Sequence, residues 1–64
     1  MCESTVFVRN KGNDTLLAED VARVVPEDGK VRVVTLLGEE HQVTGRIVEI
    51  DLMAHRIVLE GQAD

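Results

Sequence analysis

Apolar and polar positions alternate in short runs along this chain, and turn-forming residues cut the runs apart. The segment STVFVR, residues 4–9, sets Val6 and Val8 on one face and Phe7 on the other, which predicts a first strand. Lys11-Gly12-Asn13-Asp14 is a strong turn signal. Residues 15–25 read two ways. Leu17, Val21, Val24 and Val25 fit a helical stripe, whereas the run Val21-Ala22-Arg23-Val24-Val25 fits a strand. The reading adopted is an extended segment with one helical turn near residues 18–20. Pro26-Glu27-Asp28-Gly29 then closes a hairpin onto residues 30–37, with Asp-Gly at its tip. Gly38-Glu39-Glu40 forms the next turn. Residues 41–51 predict a long strand interrupted by Gly45, and a glycine there marks a bulge or a barrel corner. Residues 51–55 turn the chain, residues 56–60 alternate as a last strand with Ile57 and Leu59 on one side, and Gly61-Gln62-Ala63-Asp64 reads as a loose tail.

Five short strands in 64 residues predict a mostly β fold, a small antiparallel barrel or half-barrel formed by one domain, residues 1–64. Composition sharpens this. Phe7 is the lone aromatic residue, so the core must be aliphatic, and the β-branched residues that dominate it favour strands. A domain of this size buries only about 60% of its unfolded surface and usually needs a disulfide, a metal or a partner subunit. One cysteine excludes an internal disulfide. Val33, Val34, Leu36, Leu37, Val48, Ile50, Leu52 and Met53 exceed what one small core can hide, so a homodimer is expected. No run approaches the roughly 20 apolar residues of a membrane span, and no basic segment precedes an apolar one as in a signal peptide. The expected location is the cytoplasm, where a lone thiol stays reduced.

The net charge of −5, with seven basic residues scattered among twelve acidic ones, argues against nucleic acid as a partner. Stacking platforms for single strands are missing as well. Nothing assembles an enzyme site: Ser4 is the only serine and has no base and acid near it in sequence, the five glycines stand singly at turns, and the adjacent carboxylates of Glu39 and Glu40 read as a solvated turn.

The candidate chemistry lies at the N-terminus. A cysteine beside the chain start offers its thiolate together with a backbone nitrogen. If Met1 is kept, the Cys2 amide and the Met1 amine are at hand. If Met1 is removed, the α-amine and thiolate of Cys2 close a five-membered chelate. A nitrogen/thiolate pair suits a metal that accepts square-planar coordination, Ni(II) or Cu(II). Cytosolic copper is mostly Cu(I), which prefers sulfur-rich sites, so Ni(II) is the better match. One chain supplies two such ligands and two chains supply four, so one ion shared across a homodimer fits both inferences. A competing zinc site would need Cys2, His41, His55 and a carboxylate to converge from distant segments, and their spacing is not that of a zinc motif. Met53 is expected in the core or an interface.

Met1-Cys2-Glu3-Ser4, Leu17-Ala18-Glu19-Asp20-Val21, Leu37-Gly38-Glu39-Glu40 and the run from Asp51 through Leu52, Met53, Ala54, His55 and Arg56 to Glu60 resemble the CooT family in order and in total length. The resemblance implies a small β-rich domain akin to SH3-like or Sm-like barrels, with five to six strands, and a homodimer. It implies a nickel-binding accessory protein or metallochaperone, not an enzyme, associated in some organisms with maturation of carbon monoxide dehydrogenase. The implied metal residue is the cysteine after the initiator methionine, here Cys2, with Met1 beside it. The implied partner is an apo-metalloenzyme client of the carbon monoxide dehydrogenase kind. The alternative is a small-barrel module that binds RNA or protein and has no metal role, a label that rests on analogy between folds.

Overall fold

The computed structural model describes residues 3–63. Five strands follow one another around a closed barrel: β1 (Ser4–Asn10), β2 (Asn13–Glu27), β3 (Lys30–Thr35), β4 (Glu40–Asp51) and β5 (Arg56–Ala63). Each strand pairs antiparallel with the next, and β1 closes the ring against β5 in parallel. The parallel seam follows from the strand count: five strands in up-and-down order return to the start running the same way as the first. The expected small barrel is present, with five strands and four antiparallel seams.

The helical turn expected near residues 18–20 is absent. Those residues belong to β2, and no helix occurs among the described residues. The cause is visible in the register. Against β1, Ser4 faces Val21, Val6 faces Ala18 and Phe7 faces Leu16, so β2 carries an extra residue at each step. Against β3, Val21 faces Thr35 and Arg23 faces Val34, which is a third bulge. Each bulge adds one residue to the two-residue repeat. The β2 residues in the core or packed against it are therefore Leu17, Ala18, Val21 and Val24. Leu17, Val21 and Val24 thus fall at i, i+4 and i+7 and imitate a helical stripe, which is why this segment read two ways. Asp20, at φ 53, lies within the first of these bulges, between Ala18 and Val21.

The core is aliphatic, as composition requires. Val6, Val8, Ala18, Val21, Val31, Val33, Val43 and Leu59 fill the barrel, with Leu17, Val24, Ile47 and Ile57 packed against them. Phe7 stays outside this cluster, on the outer face in register with Val58, and the Arg56 guanidinium lies 5.4 Å from its ring centre.

The tail is not loose. Gly61, Gln62 and Ala63 extend β5 and pair with Gly45, Thr44 and Val43. Gly45 faces Gly61 directly, at φ 151 and 145, values that L side chains rarely adopt. A Cβ on Gly45 would run into the Glu60 carbonyl, and one on Gly61 into the Thr44 carbonyl. The two backbones close the barrel at this crossing because neither residue carries a side chain. The glycine read as the start of a tail is thus a partner of the one read as a corner.

Candidate functional site

Met1 and Cys2, the residues expected to bind metal, lie outside the described residues. Their attachment point is well defined. Cys2 stands two positions before Ser4, where β1 begins. Ser4 faces Val21 of β2, which itself faces Thr35 at the end of β3. On its other side, the Thr5 amide donates to the His55 carbonyl at 2.9 Å. The start of β1 therefore sits between two turns, residues 36–39 after β3 and residues 52–55 after β4. The first is latched to β2 by the Leu36 amide, which donates to the Asp20 carbonyl at 2.8 Å. It is stiffened by the Glu39 amide, which donates to the Thr35 hydroxyl at 3.1 Å. The second turn is held by the Ala54 amide, which donates to the Asp51 carboxylate at 3.0 Å. His55 takes the left-handed conformation there, at φ 54, and is exposed.

His41 lies on β4 opposite Val33 and is half-buried. Among the described residues, no three side chains of the His, Cys, Asp or Glu type gather closely enough to hold a metal ion. His41 and His55 do not form a centre with a carboxylate within that part of the chain. The donors expected from the sequence, the Cys2 thiolate and a neighbouring amine or amide nitrogen, are of a kind that suits Ni(II). Glu39 and Glu40 are exposed, but only Glu39 lies in the turn; Glu40 opens β4 opposite Val34 and reaches Arg32 at 3.6 Å.

Electrostatics elsewhere are dominated by pairing. Arg9 grips Asp14 through Nε at 2.8 Å and Nη2 at 3.2 Å, and Arg56 reaches the same carboxylate at 3.4 Å. Arg9 also approaches Glu49 at 3.8 Å. The Arg9 hydrogen bond, together with the charges of Arg9 and Arg56, holds Asp14 below the ordinary carboxylate range. Arg46 pairs with Glu60 at 3.0 Å, and Arg32 lies between Glu27 at 3.4 Å and Glu40 at 3.6 Å. Four arginines are thus engaged by carboxylates, which leaves little cationic surface for phosphate.

A groove of about 730 Å³ opens at the far end of the barrel between Pro26, Val31 and Ile47, over the backbone of Gly29, Gly45 and Gly61. No sequence signal marks it. Its glycine floor follows from the close crossing of β4 and β5, where Gly45 also donates its amide to the Gly29 carbonyl at 3.0 Å.

No helix among the described residues is long and apolar enough to cross a membrane. Comparison with known proteins converges on one family. Residues 1–60 match the family described as CO dehydrogenase accessory protein CooT. A protein of uncharacterised function from Archaeoglobus fulgidus is 50% identical over 44 residues, which is 69% of this chain and 98% of the relative. Another, from Methanothermobacter thermautotrophicus, is 35% identical over 60 residues, covering 94% of this chain and 89% of the relative. Among solved structures, the crystal structure of a protein described as CooT from Carboxydothermus hydrogenoformans superposes with a TM-score of 0.83 at 26% identity. It covers 95% of this chain and 98% of its own.

Proposed function

This chain belongs to the CooT family, whose members are accessory proteins of carbon monoxide dehydrogenase rather than enzymes, and from that premise we propose that it binds Ni(II) through Cys2 and delivers it to a client apo-enzyme. Carbon monoxide dehydrogenase or an enzyme like it is the client class that the family description favours. The observation that carries the reading is the position of Cys2, immediately after the initiator methionine and two residues before β1 begins. That position offers a thiolate and a neighbouring backbone nitrogen together. The Cys2 thiolate and the adjacent nitrogen, from Met1 or from Cys2 itself, form half of a square-planar set. A second chain completes it, so one ion is shared by a homodimer. Few ligands on a terminal segment suit release by ligand exchange. Each donor must lose its proton to bind, so affinity falls as pH drops.

The test is a Ni(II) titration of untagged protein, followed by thiolate-to-metal charge-transfer absorption. The band is expected for the wild-type chain and absent for Cys2→Ala. Equal nickel affinity in the two proteins would overturn the reading. The runner-up, a small-barrel module for RNA, requires an affinity that falls with rising salt. The engagement of Arg9, Arg32, Arg46 and Arg56 with carboxylates counts against it.

A further inference from the structure

β4 is paired on both sides only where its two neighbours overlap. β3 pairs with it over residues 40–44 and β5 over residues 43–51. The Gly45 amide still reaches the Gly29 carbonyl, and there the hairpin between β2 and β3 turns away. Over residues 46–51 no strand lies on that side of β4 among the described residues. A strand edge of this kind presents backbone N–H and C=O groups to an added strand. Ile50 stands opposite Ile57, which packs against the core, so its side chain lies on the core-facing side of the sheet. It is nonetheless 56% exposed, because no strand lies beyond it. The groove between Pro26, Val31 and Ile47 opens where this edge begins, and its volume of about 730 Å³ is that of a ligand site.

The charges along the edge select what fits it. Lys30 lines the groove and makes no ion pair among the described residues. The other charged groups of the groove are engaged, Arg46 by Glu60 and Glu27 by Arg32. At the far end of the edge stand the carboxylates of Glu49 and Asp51. A strand added in line with β3 runs antiparallel to β4, as β3 does. Its C-terminal end then arrives at Gly29 and Lys30, and its upstream residues pass Glu49 and Asp51. The geometry points to this edge as the docking site for an extended C-terminal segment of a partner protein, added to β4 as a sixth strand. Its terminal carboxylate meets Lys30, alternate aliphatic side chains cover Ile47 and Ile50, and a basic residue lies beside Glu49 and Asp51. Main-chain hydrogen bonds supply the affinity and the alternate side chains the specificity. At a rise of about 3.3 Å per residue, the basic residue falls about four positions before the carboxylate. The inference goes beyond the nickel reading and makes no use of Cys2.

Fluorescence anisotropy of the peptide Gly-Ser-Lys-Thr-Val-Thr-Val, labelled at its N-terminus and titrated with the full-length chain, tests the inference. The wild-type chain should bind it with a Kd below about 1 mM. Amidating the C-terminus removes the charge that meets Lys30 and should weaken binding about fivefold or more. Replacing the last Val-Thr pair by Pro-Pro removes backbone donors and should weaken it as much, about fivefold or more. Lys30→Glu should match the loss on amidation. Ile50→Lys, at an exposed position, should keep the far-UV spectrum of the wild type and weaken binding about tenfold or more. Leu16→Lys, exposed on β2 opposite Phe7 and away from this edge, should leave the Kd within about twofold. A wild-type chain that leaves the peptide free at about 1 mM overturns the inference. Binding unchanged by Ile50→Lys, by Lys30→Glu or by the two prolines does so as well. An anisotropy that falls again as chain concentration rises past saturation would put a second copy on this edge and also overturn it. Cys2→Ala should bind the peptide as the wild type does, so a failure of the nickel reading leaves this one standing.

Discussion

Asp14 sits where β2 leaves the first hairpin, opposite Arg9, and receives hydrogen bonds from Arg9 and from Arg56. Its folded-state pKa is lowered, first by the Arg9 hydrogen bond. The contribution of the carboxylate is therefore present above the ordinary value of about 3.9 and is lost as pH falls through the lower folded-state value. Asp14→Asn should flatten the acid limb of the melting-temperature profile below about pH 4. A variant profile that runs parallel to the wild-type one would show that the carboxylate is not coupled to folding. Arg56 of this cluster lies 5.4 Å from the ring centre of Phe7, whose register partner Val58 is fully buried although it lies outside the barrel core. Sequence alternation put Phe7 on that face correctly. It gave no sign that Val58 is buried, because that depends on the strands β1 and β4 that flank β5 in the barrel. The proposed role of Cys2 lies outside the described residues and rests on the chemistry of a thiolate beside a backbone nitrogen, not on packing.

At the scale of elements, the five strands could be placed from alternation and punctuation, because β-branched runs and Gly-containing turns are local signals, although the helical turn read within β2 and the ends of β3 and β5 were not as expected. What could not be read was set by pairing. Three bulges change the inward repeat of β2, and the Gly45–Gly61 crossing keeps β5 going past a residue that locally signals a stop. This crossing yields a sharp contrast. Gly61→Ala, or Gly45→Ala, must move backbone to make room and should cost about 3 kcal/mol or more. Gly12→Ala, at φ +80 in open space, should cost only about 1 kcal/mol, the strain of its left-handed backbone. Urea denaturation of the three variants measures the difference, and equal losses would mean that the crossing is not as tight as described.

At the scale of the whole molecule, a core made mainly of valines is small, and each member matters. Leu59 is fully buried, and Leu59→Ala should cost about 2–5 kcal/mol, enough to unfold much of a domain this size near room temperature. If folding is coupled to dimerisation, the melting temperature must also depend on concentration. A tenfold increase in wild-type protein should raise it by about 5 °C. The excess of apolar residues was visible in the sequence, and the structure adds where much of it lies: Leu36, Leu37, Leu52 and Met53 are exposed in two turns separated along the chain but joined in space by β1.

The central claim is that two Cys2 residues share one nickel ion, and the most direct measurement is the amount of metal held per chain. Native mass spectrometry of untagged protein at sub-stoichiometric and excess Ni(II) counts it. The account predicts a dimer carrying one nickel ion at saturation, and a Cys2→Ala dimer carrying none. One nickel ion on each monomer, or a nickel-loaded Cys2→Ala dimer, would contradict it.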